Sequence, residues 1–385
     1  MARWLLPEGI ADVLPDEARQ VEELRRIVLD LLRGYGYQLV APPLIEYLDS
    51  LLTGTGRDLD LRTFKLVDQL SGRQLGLRAD ITPQTARIDA HVLGRQGVVR
   101  LCYAGSVLHA RPAHPLASRE PLQIGAELYG HAGAAADAEI QTLAAEALRR
   151  VGVVDARFDF GHTGVVRGLL ASAPVAAEQA DEILAALGAK DLPALRALVA
   201  HVAPATARAL LELPALYGDR DVIVAARRVL PALPPIARAL DELEQLVRRA
   251  PAASVGIDLS DLHGYRYYTG VNFAAYAPDA SAALLRGGRY DDIGRAFGRA
   301  RPATGFSIDL RELSQRNGAL PVRAILAPAN DDGALEKVIA ELRAAGEIVI
   351  RMLGNDDQIE GPACDRQITR AGNEWHIRPR ESNSH

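Results

Sequence analysis

Between Arg100 and Gly130 the chain reads RLCYAGSVLHARPAHPLASREPLQIGAELYG, and this stretch narrows the possible folds more than any other. It opens with a short apolar run and crosses a polar loop carrying Pro112, Pro115 and Pro121. It returns as PLQIGAELYG, where apolar residues alternate with polar or small ones. Proline removes a ladder donor and belongs in a loop or at an edge, so two strands joined by a long loop fit this pattern better than a helix. Gln123 and Glu127 lie four apart and therefore share one face of the returning strand. An amide and a carboxylate on one sheet face can hold an ammonium and a carboxylate; the plainer reading is two solvated strand residues.

At 385 residues the chain exceeds one ordinary domain, and roughly 100–200 residues per domain implies two or three. With 48% hydrophobic and 24% charged residues it has the composition of a globular protein. The net charge of −5 supplies no overall attraction to nucleic acid or to an anionic membrane. Cys102 and Cys364 stand far apart without paired metal spacing, so neither a disulfide framework nor a metal site is expected, and nothing asks for a cofactor. No basic segment followed by an apolar run opens the chain, and no stretch reaches the length of a membrane span. The cytoplasm is therefore the expected location.

Taken in order, Val21, Leu24, Ile27, Val28, Leu31 and Leu32 recur at three and four, which predicts a helix opening at Pro15-Asp16 and ending at Gly34. Tyr37 to Val40 reads as a strand stopped by Pro42-Pro43. Phe64–Val67 and Gln74–Leu77 read as a hairpin around Ser71-Gly72, with a helix from about Pro83. Asp80 and Thr82 then sit at a strand-to-helix corner, where a simple N-cap is the plainer reading. A helix over 137–151 and a strand over 156–160 follow. The Ala/Leu/Arg-rich stretch 163–249, broken by prolines 174, 193, 204, 214 and 231, reads as a helical insertion. Val255–Leu259 is expected as a strand, DLHGYRYYTGVNFAAYAP as a hairpin, GGRY as a glycine-rich corner and ATGFSIDLREL as a strand running into a helix. After Leu313 the pattern becomes a small βαβ-like unit with a frayed tail, ESNSH. From Ser314 onward nine basic residues face eleven acidic ones, which disfavours a nucleic-acid-binding module.

Five separated segments occur in one order: LPEGIADVLP with GYGYQLVAPPLIEY, then GLRADITPQTAR, the 100–130 stretch, DLHGYRYYTG, and GGRYDDI with PATGFSIDL. In that order they resemble the catalytic core of class II histidyl-tRNA synthetases over roughly residues 5–320. The resemblance implies an α+β fold: an antiparallel sheet flanked by helices over 1–315, with the insertion at about 163–250 and a small truncated α/β unit over 320–385.

The departures from the synthetase pattern fall where ATP is handled. His109 and Arg111 stand where the synthetases place an arginine on the α-phosphate and a glutamate. His263 replaces a catalytic arginine, Arg266 an aspartate, and Glu312 the arginine that clamps the triphosphate. Arg311, one residue earlier, is turned about 100° around the helix. Adenylation needs positive charge at phosphorus, so the resemblance implies a degenerate adenylation site and no catalytic residues. By contrast Asp80, Thr82, Gln123, Glu127, Tyr267 and Tyr268 fall on the positions that hold histidine in the family.

This combination is similar to the synthetase-related regulatory subunits of ATP phosphoribosyltransferase. That similarity implies a homodimer within a hetero-octamer with the short-form catalytic subunit, free histidine as effector, and no nucleic-acid or membrane partner. The alternatives are an active histidyl-tRNA synthetase or another amino-acid-activating paralogue, and both require ATP–pyrophosphate exchange.

Overall fold

The stripe of Val21, Leu24, Val28, Leu31 and Leu32 becomes the buried face of a helix over Pro15–Gly34. Ile27 shares the spacing but faces solvent. Each fully buried Leu or Ile here contributes about 1.5–3 kcal/mol, and Leu32→Ala would cost about 2–5 kcal/mol through the cavity it leaves. The computed structural model describes residues 4–54, 57–112, 117–173, 175–250, 254–278, 280, 282–316, 323–354 and 360–380. The chain forms two units, Met1–Asn317 and Gly318–His385.

The first unit contains β1 (Gln38–Leu39), β2 (Ile45–Tyr47), β3 (Phe64–Val67), β4 (Gln74–Leu77), β5 (Val99–Ser106), β6 (Leu122–Tyr129), β7 (Arg157–His162), β8 (Tyr217–Gly218), β9 (Ser254–Asp258), β10 (Val271–Tyr276), β11 (Leu285–Arg289) and β12 (Ala303–Asp309). Nine of these make one sheet in the order β1-β5-β6-β12-β11-β10-β7-β9-β8, and β2-β4-β3 make a small second sheet. The large sheet is antiparallel through its centre, with parallel pairings between β1 and β5 and between β7 and β9. Helices Pro15–Gly34, Ala134–Arg150 and Pro234–Arg249 bury their apolar faces in the main core. Phe158, Phe160 and Phe273 anchor that core, with ring centroids 6.1–6.3 Å apart.

The 100–130 stretch forms β5 and β6 as expected, and residues 113–116 of its loop, including Pro115, lie outside the described residues. In the insertion, Pro193 and Pro204 open helices Leu192–Leu198 and Pro204–Glu212, because the first turn needs no proline N–H. Pro174 lies outside the described residues. The insertion is not wholly helical: β8 within it closes one sheet edge against β9.

Two expectations need correction. DLHGYRYYTGVNFAAYAP is not a hairpin: 261–270 is a series of turns, and only Val271–Tyr276 pairs as a strand. GGRY is not a corner, since Gly287 and Gly288 lie inside β11. A Cβ on Gly287 would fall 2.5 Å from the Gly305 carbonyl oxygen and from the Phe273 ring, and one on Gly288 2.5 Å from the Val271 oxygen. Close backbone approach, rather than a turn, requires these glycines.

In the second unit β13 (Arg323–Ala327), β14 (Val349–Arg351), β15 (Ala363–Ala371) and β16 (Glu374–Pro379) form a sheet ordered β14-β13-β15-β16. Helix Gly333–Ala344 is capped by Asp332, whose carboxylate accepts from the Ala334 N–H and from Trp375 Nε1. The βαβ reading accounts for β13, the helix and β14. The hairpin of β15 and β16 is an addition to it. The tail 381–385 lies outside the described residues.

Candidate functional site

A cavity of about 880 Å³ opens on one face of the large sheet, where β6, β11 and β12 place Gln123, Glu127, Arg286, Gly305 and Asp309. Gly305 pairs with Glu127 across the strands and Asp309 with Gln123, so a residue without a side chain stands opposite the carboxylate. A Cβ at 305 would fall 1.8 Å from Glu127 Oε2 and 2.3 Å from the Tyr290 hydroxyl; glycine is what admits both groups. Asp80, Thr82, Gln123, Glu127, Tyr267 and Tyr268 all line this cavity.

Asp80 and Thr82 stand where β4 leads into helix Thr82–Arg87. The plain N-cap reading needs correction: Ile81 is the N-cap residue and has no side-chain cap, while Asp80 just before it closes a tight turn by accepting from the Thr82 N–H (3.0 Å), and Gln123 Nε2 donates to the same oxygen (2.8 Å). Gln123 is fixed in turn by the Ile81 N–H, which donates to its Oε1 (2.9 Å). One carboxylate thus ties the corner to the sheet face.

Further in, the Tyr103 hydroxyl donates to Glu127 Oε1 (3.1 Å), and Thr82 Oγ1 lies 2.9 Å from that hydroxyl. Glu127 is 1% exposed. Burial, reinforced by the charge of Asp80, holds its carboxyl well above the usual glutamate range. Three rings complete this end: Tyr267 stands edge-on to Tyr268 at 5.4 Å and tilted against Tyr290 at 4.9 Å. Glu127 Oε2 and the hydroxyls of Tyr267 and Tyr290 are buried with no hydrogen-bond partner among the described residues.

The turn bearing the tyrosines is held from outside. Gly264 at φ +67° carries it, and the N–H groups of Tyr267 and Tyr268 both donate to the Gly264 oxygen at 2.8 Å. Arg167, on helix Thr163–Ala171, donates to the carbonyls of Tyr265 (2.9 Å) and Tyr268 (2.7 Å) and stacks on the Tyr265 ring.

The other end is different in kind. His109 is buried, with Nε2 3.0 Å from the Ala79 oxygen and Arg62 Nη2 at 2.9 and 3.3 Å from its two ring nitrogens. Burial first and the Arg62 charge second depress its pKa to about 4, so the ring is neutral at pH 7. His263 lines the cavity with its side chain 70% exposed, 3.5 Å from Asp261. Arg266 is paired to Asp181 of the insertion at 2.5 Å. Glu312 lines the cavity, whereas the Arg311 guanidinium donates away from it to the carbonyls of Ala11 and Glu120. Arg111 is exposed and is not part of the lining. Tyr103, Tyr290, Arg62 and Arg167 were not singled out in the sequence. For Tyr103 the usable signal is its register opposite Gly125, on the Gln123–Glu127 face.

Among the described residues no cluster of His, Cys, Asp or Glu is arranged to hold a metal, and no helix is long and apolar enough to cross a membrane.

The sheet, its antiparallel centre and the cavity on its face define a core of the class II synthetase type. The histidyl-tRNA synthetase family profile matches residues 9–313, and the profile of the C-terminal domain of ATP phosphoribosyltransferase subunit HisZ matches 322–378. ATP phosphoribosyltransferase regulatory subunits from Ralstonia nicotianae and Burkholderia lata are 58% and 56% identical, covering 100% and 99% of this chain and all of theirs. A crystal structure described as an ATP phosphoribosyltransferase regulatory subunit/histidyl-tRNA synthetase from Bacillus halodurans superposes with a TM-score of 0.81. It is 30% identical over 92% of this chain and 94% of that one. Histidyl-tRNA synthetase from Nostoc, at 21% identity, shares the fold over 94% of this chain and 88% of its own, with a TM-score of 0.74. The chain belongs to the family of ATP phosphoribosyltransferase regulatory subunits.

Proposed function

We propose that this protein performs no chemistry itself, binds free histidine in the cavity on the sheet face, and transmits that binding to a short-form ATP phosphoribosyltransferase catalytic subunit. In this reading it activates the catalytic subunit and makes the first step of histidine biosynthesis sensitive to feedback inhibition, as a dimer within a cytoplasmic hetero-octamer. The observation that carries the ligand is the set of three buried, unpartnered polar atoms on Glu127, Tyr267 and Tyr290. Leaving such groups unmatched costs about 1–3 kcal/mol each. A neutral imidazole offers one N–H donor and one nitrogen acceptor, which match a carboxyl oxygen and a tyrosine hydroxyl. The ring faces of Tyr267, Tyr268 and Tyr290 suit its flat sides, and Asp80 with Gln123 suits an ammonium.

The non-enzymatic reading rests on the opposite end. None of His109, His263, Glu312 and Arg311 offers a fixed cation to developing phosphoryl charge, since His109 is neutral, His263 is exposed, Glu312 is acidic and Arg311 turns outward, and Arg62 beside His109 is the cation that remains at that end. The test is to co-purify the chain with a short-form catalytic subunit and titrate histidine into the complex. Micromolar to millimolar histidine should inhibit, and the chain alone should show no histidine-dependent ATP–pyrophosphate exchange. Exchange at a synthetase-like rate that disappears in Glu127→Ala would overturn the reading.

A further inference from the structure

Arg62 is a cation the family motifs do not point to, and its surroundings single it out. It ends helix Arg57–Arg62, is half-buried, and lines the cavity. Among the described residues no carboxylate pairs with it, and its Nε is buried without a hydrogen-bond partner. Arg62 Nη2 lies 2.9 Å from Nε2 and 3.3 Å from Nδ1 of His109, and Nε2 lies 3.0 Å from the Ala79 oxygen; in a neutral ring the nitrogen without a proton accepts from the guanidinium. A neutral histidine therefore orients the guanidinium without neutralising it. A part-buried arginine with an unmatched nitrogen and no counter-charge among the described residues is a site for an anion.

From this arrangement we infer that Arg62 binds the α-carboxylate of the amino acid, in place of the cation lost at His263. The inference rests on the histidine reading above and adds the group that makes the site select an amino acid over an amine. The ammonium and carboxylate of an amino acid are borne on one carbon, so their partners must be neighbours. Asp80 follows Ala79, to whose oxygen His109 is bound, and both Asp80 and Arg62 act electrostatically on His109. Arg286, the other cavity cation outside the Arg266–Asp181 pair, lies on β11 two residues from Gly288, where a Cβ would meet the Tyr268 ring at 2.8 Å, and so belongs with the aromatic turn. Arg62 and Asp80 are thus a matched pair for a zwitterion, with the imidazole directed to Glu127.

Calorimetric titration of the full chain with L-histidine and with L-histidinol, which keeps the ammonium and imidazole but lacks the carboxylate, tests this. The wild-type chain should prefer histidine by about 10- to 100-fold, the worth of one charge-assisted pair. Arg62→Gln should bring the preference close to unity by weakening histidine and leaving histidinol unchanged. Arg62→Lys should retain part of it, and Arg286→Gln all of it. An unchanged preference in Arg62→Gln, or equal weakening of both ligands with the thermal midpoint retained, overturns the assignment while the histidine pocket stands. If the wild-type chain binds neither ligand, the pocket reading fails and this one with it.

Discussion

The two ends of the cavity share one sheet face and differ in how their polar groups are matched. At the buried end, Glu127, Tyr267 and Tyr290 keep atoms that the described chain does not satisfy. At the other end most groups are matched within the chain, His109 on Ala79, Arg266 on Asp181, and Arg311 on the carbonyls of Ala11 and Glu120, and Arg62 beside His109 is the exception. Buried polar groups cost free energy until something pairs with them, so in the proposed reading the first end awaits an occupant and most of the second is matched within the chain. On that reading one sheet face can give up one ligand and keep another without a change of fold.

The sharpest way to break this contrast is to truncate one group at each end. Glu127→Ala removes a buried acceptor at the proposed imidazole position and should weaken histidine binding by on the order of 100-fold. His263→Ala, exposed and outside the proposed contacts, should change it less than about twofold. Calorimetry on the full chain reads both. Comparable losses would mean that the ends are not functionally distinct.

A smaller effect is expected where the buried end is braced from outside. Arg167→Met keeps an unbranched apolar stem but removes the guanidinium over the Tyr265 ring and its charged hydrogen bonds to the carbonyls of Tyr265 and Tyr268. Loosening the turn should lower histidine affinity by about tenfold. A merely structural role would lower the thermal midpoint equally with and without histidine. Positioning instead predicts that the loss in midpoint is larger in the presence of the ligand.

These residues also mark how far the sequence could be read. The face shared by Gln123 and Glu127 follows from strand periodicity, and the corner at Asp80 and Thr82 from the proline after it. Tyr267 and Tyr268 were legible only through family resemblance, because the turn that carries them depends on Gly264 and on an arginine about a hundred residues earlier. Tyr103 and Arg62 depend on pairings between distant segments, which local pattern does not encode. The β15–β16 hairpin escaped notice for another reason. Its run of Arg, Asp, Glu and Gln is half-exposed, and only Ile368 and Trp375 pack into the unit's core, so the alternation is faint.

Tyr290→Phe refines the contrast within the buried end. It deletes one unpartnered hydroxyl and keeps the ring stacked at 4.9 Å on Tyr267. If the hydroxyl meets the ligand, histidine affinity should fall only several-fold, the worth of one neutral hydrogen bond. The ligand-free chain should become slightly more stable, because an unmatched buried group is gone. A loss of stability without ligand would mean that the hydroxyl is satisfied within the chain.

The smallest effect is a pair of opposed pH dependences, one from each end. Glu127 has a raised pKa in the fold, so the folded chain holds its proton more tightly than the unfolded one. Its destabilising contribution is absent below about pH 4.5 and grows as the pH rises toward the folded value. His109 has the opposite sign: its pKa falls from 6.5 to about 4, so stability is lost as the pH drops through that interval. Between about pH 4.5 and 6.5 the two slopes partly cancel in the wild-type chain. Glu127→Gln should leave the histidine slope exposed, with a thermal midpoint that climbs by about 2–4 °C more than wild type across that range. His109→Gln should reveal the reverse, a midpoint that falls relative to wild type as the pH rises. Saturating histidine should flatten the Glu127 slope strongly and the His109 slope only in part, because a carboxylate on Arg62 offsets the smaller cause of the His109 shift and leaves burial, the larger one, in place. A His109 slope that histidine leaves untouched would place the carboxylate away from Arg62.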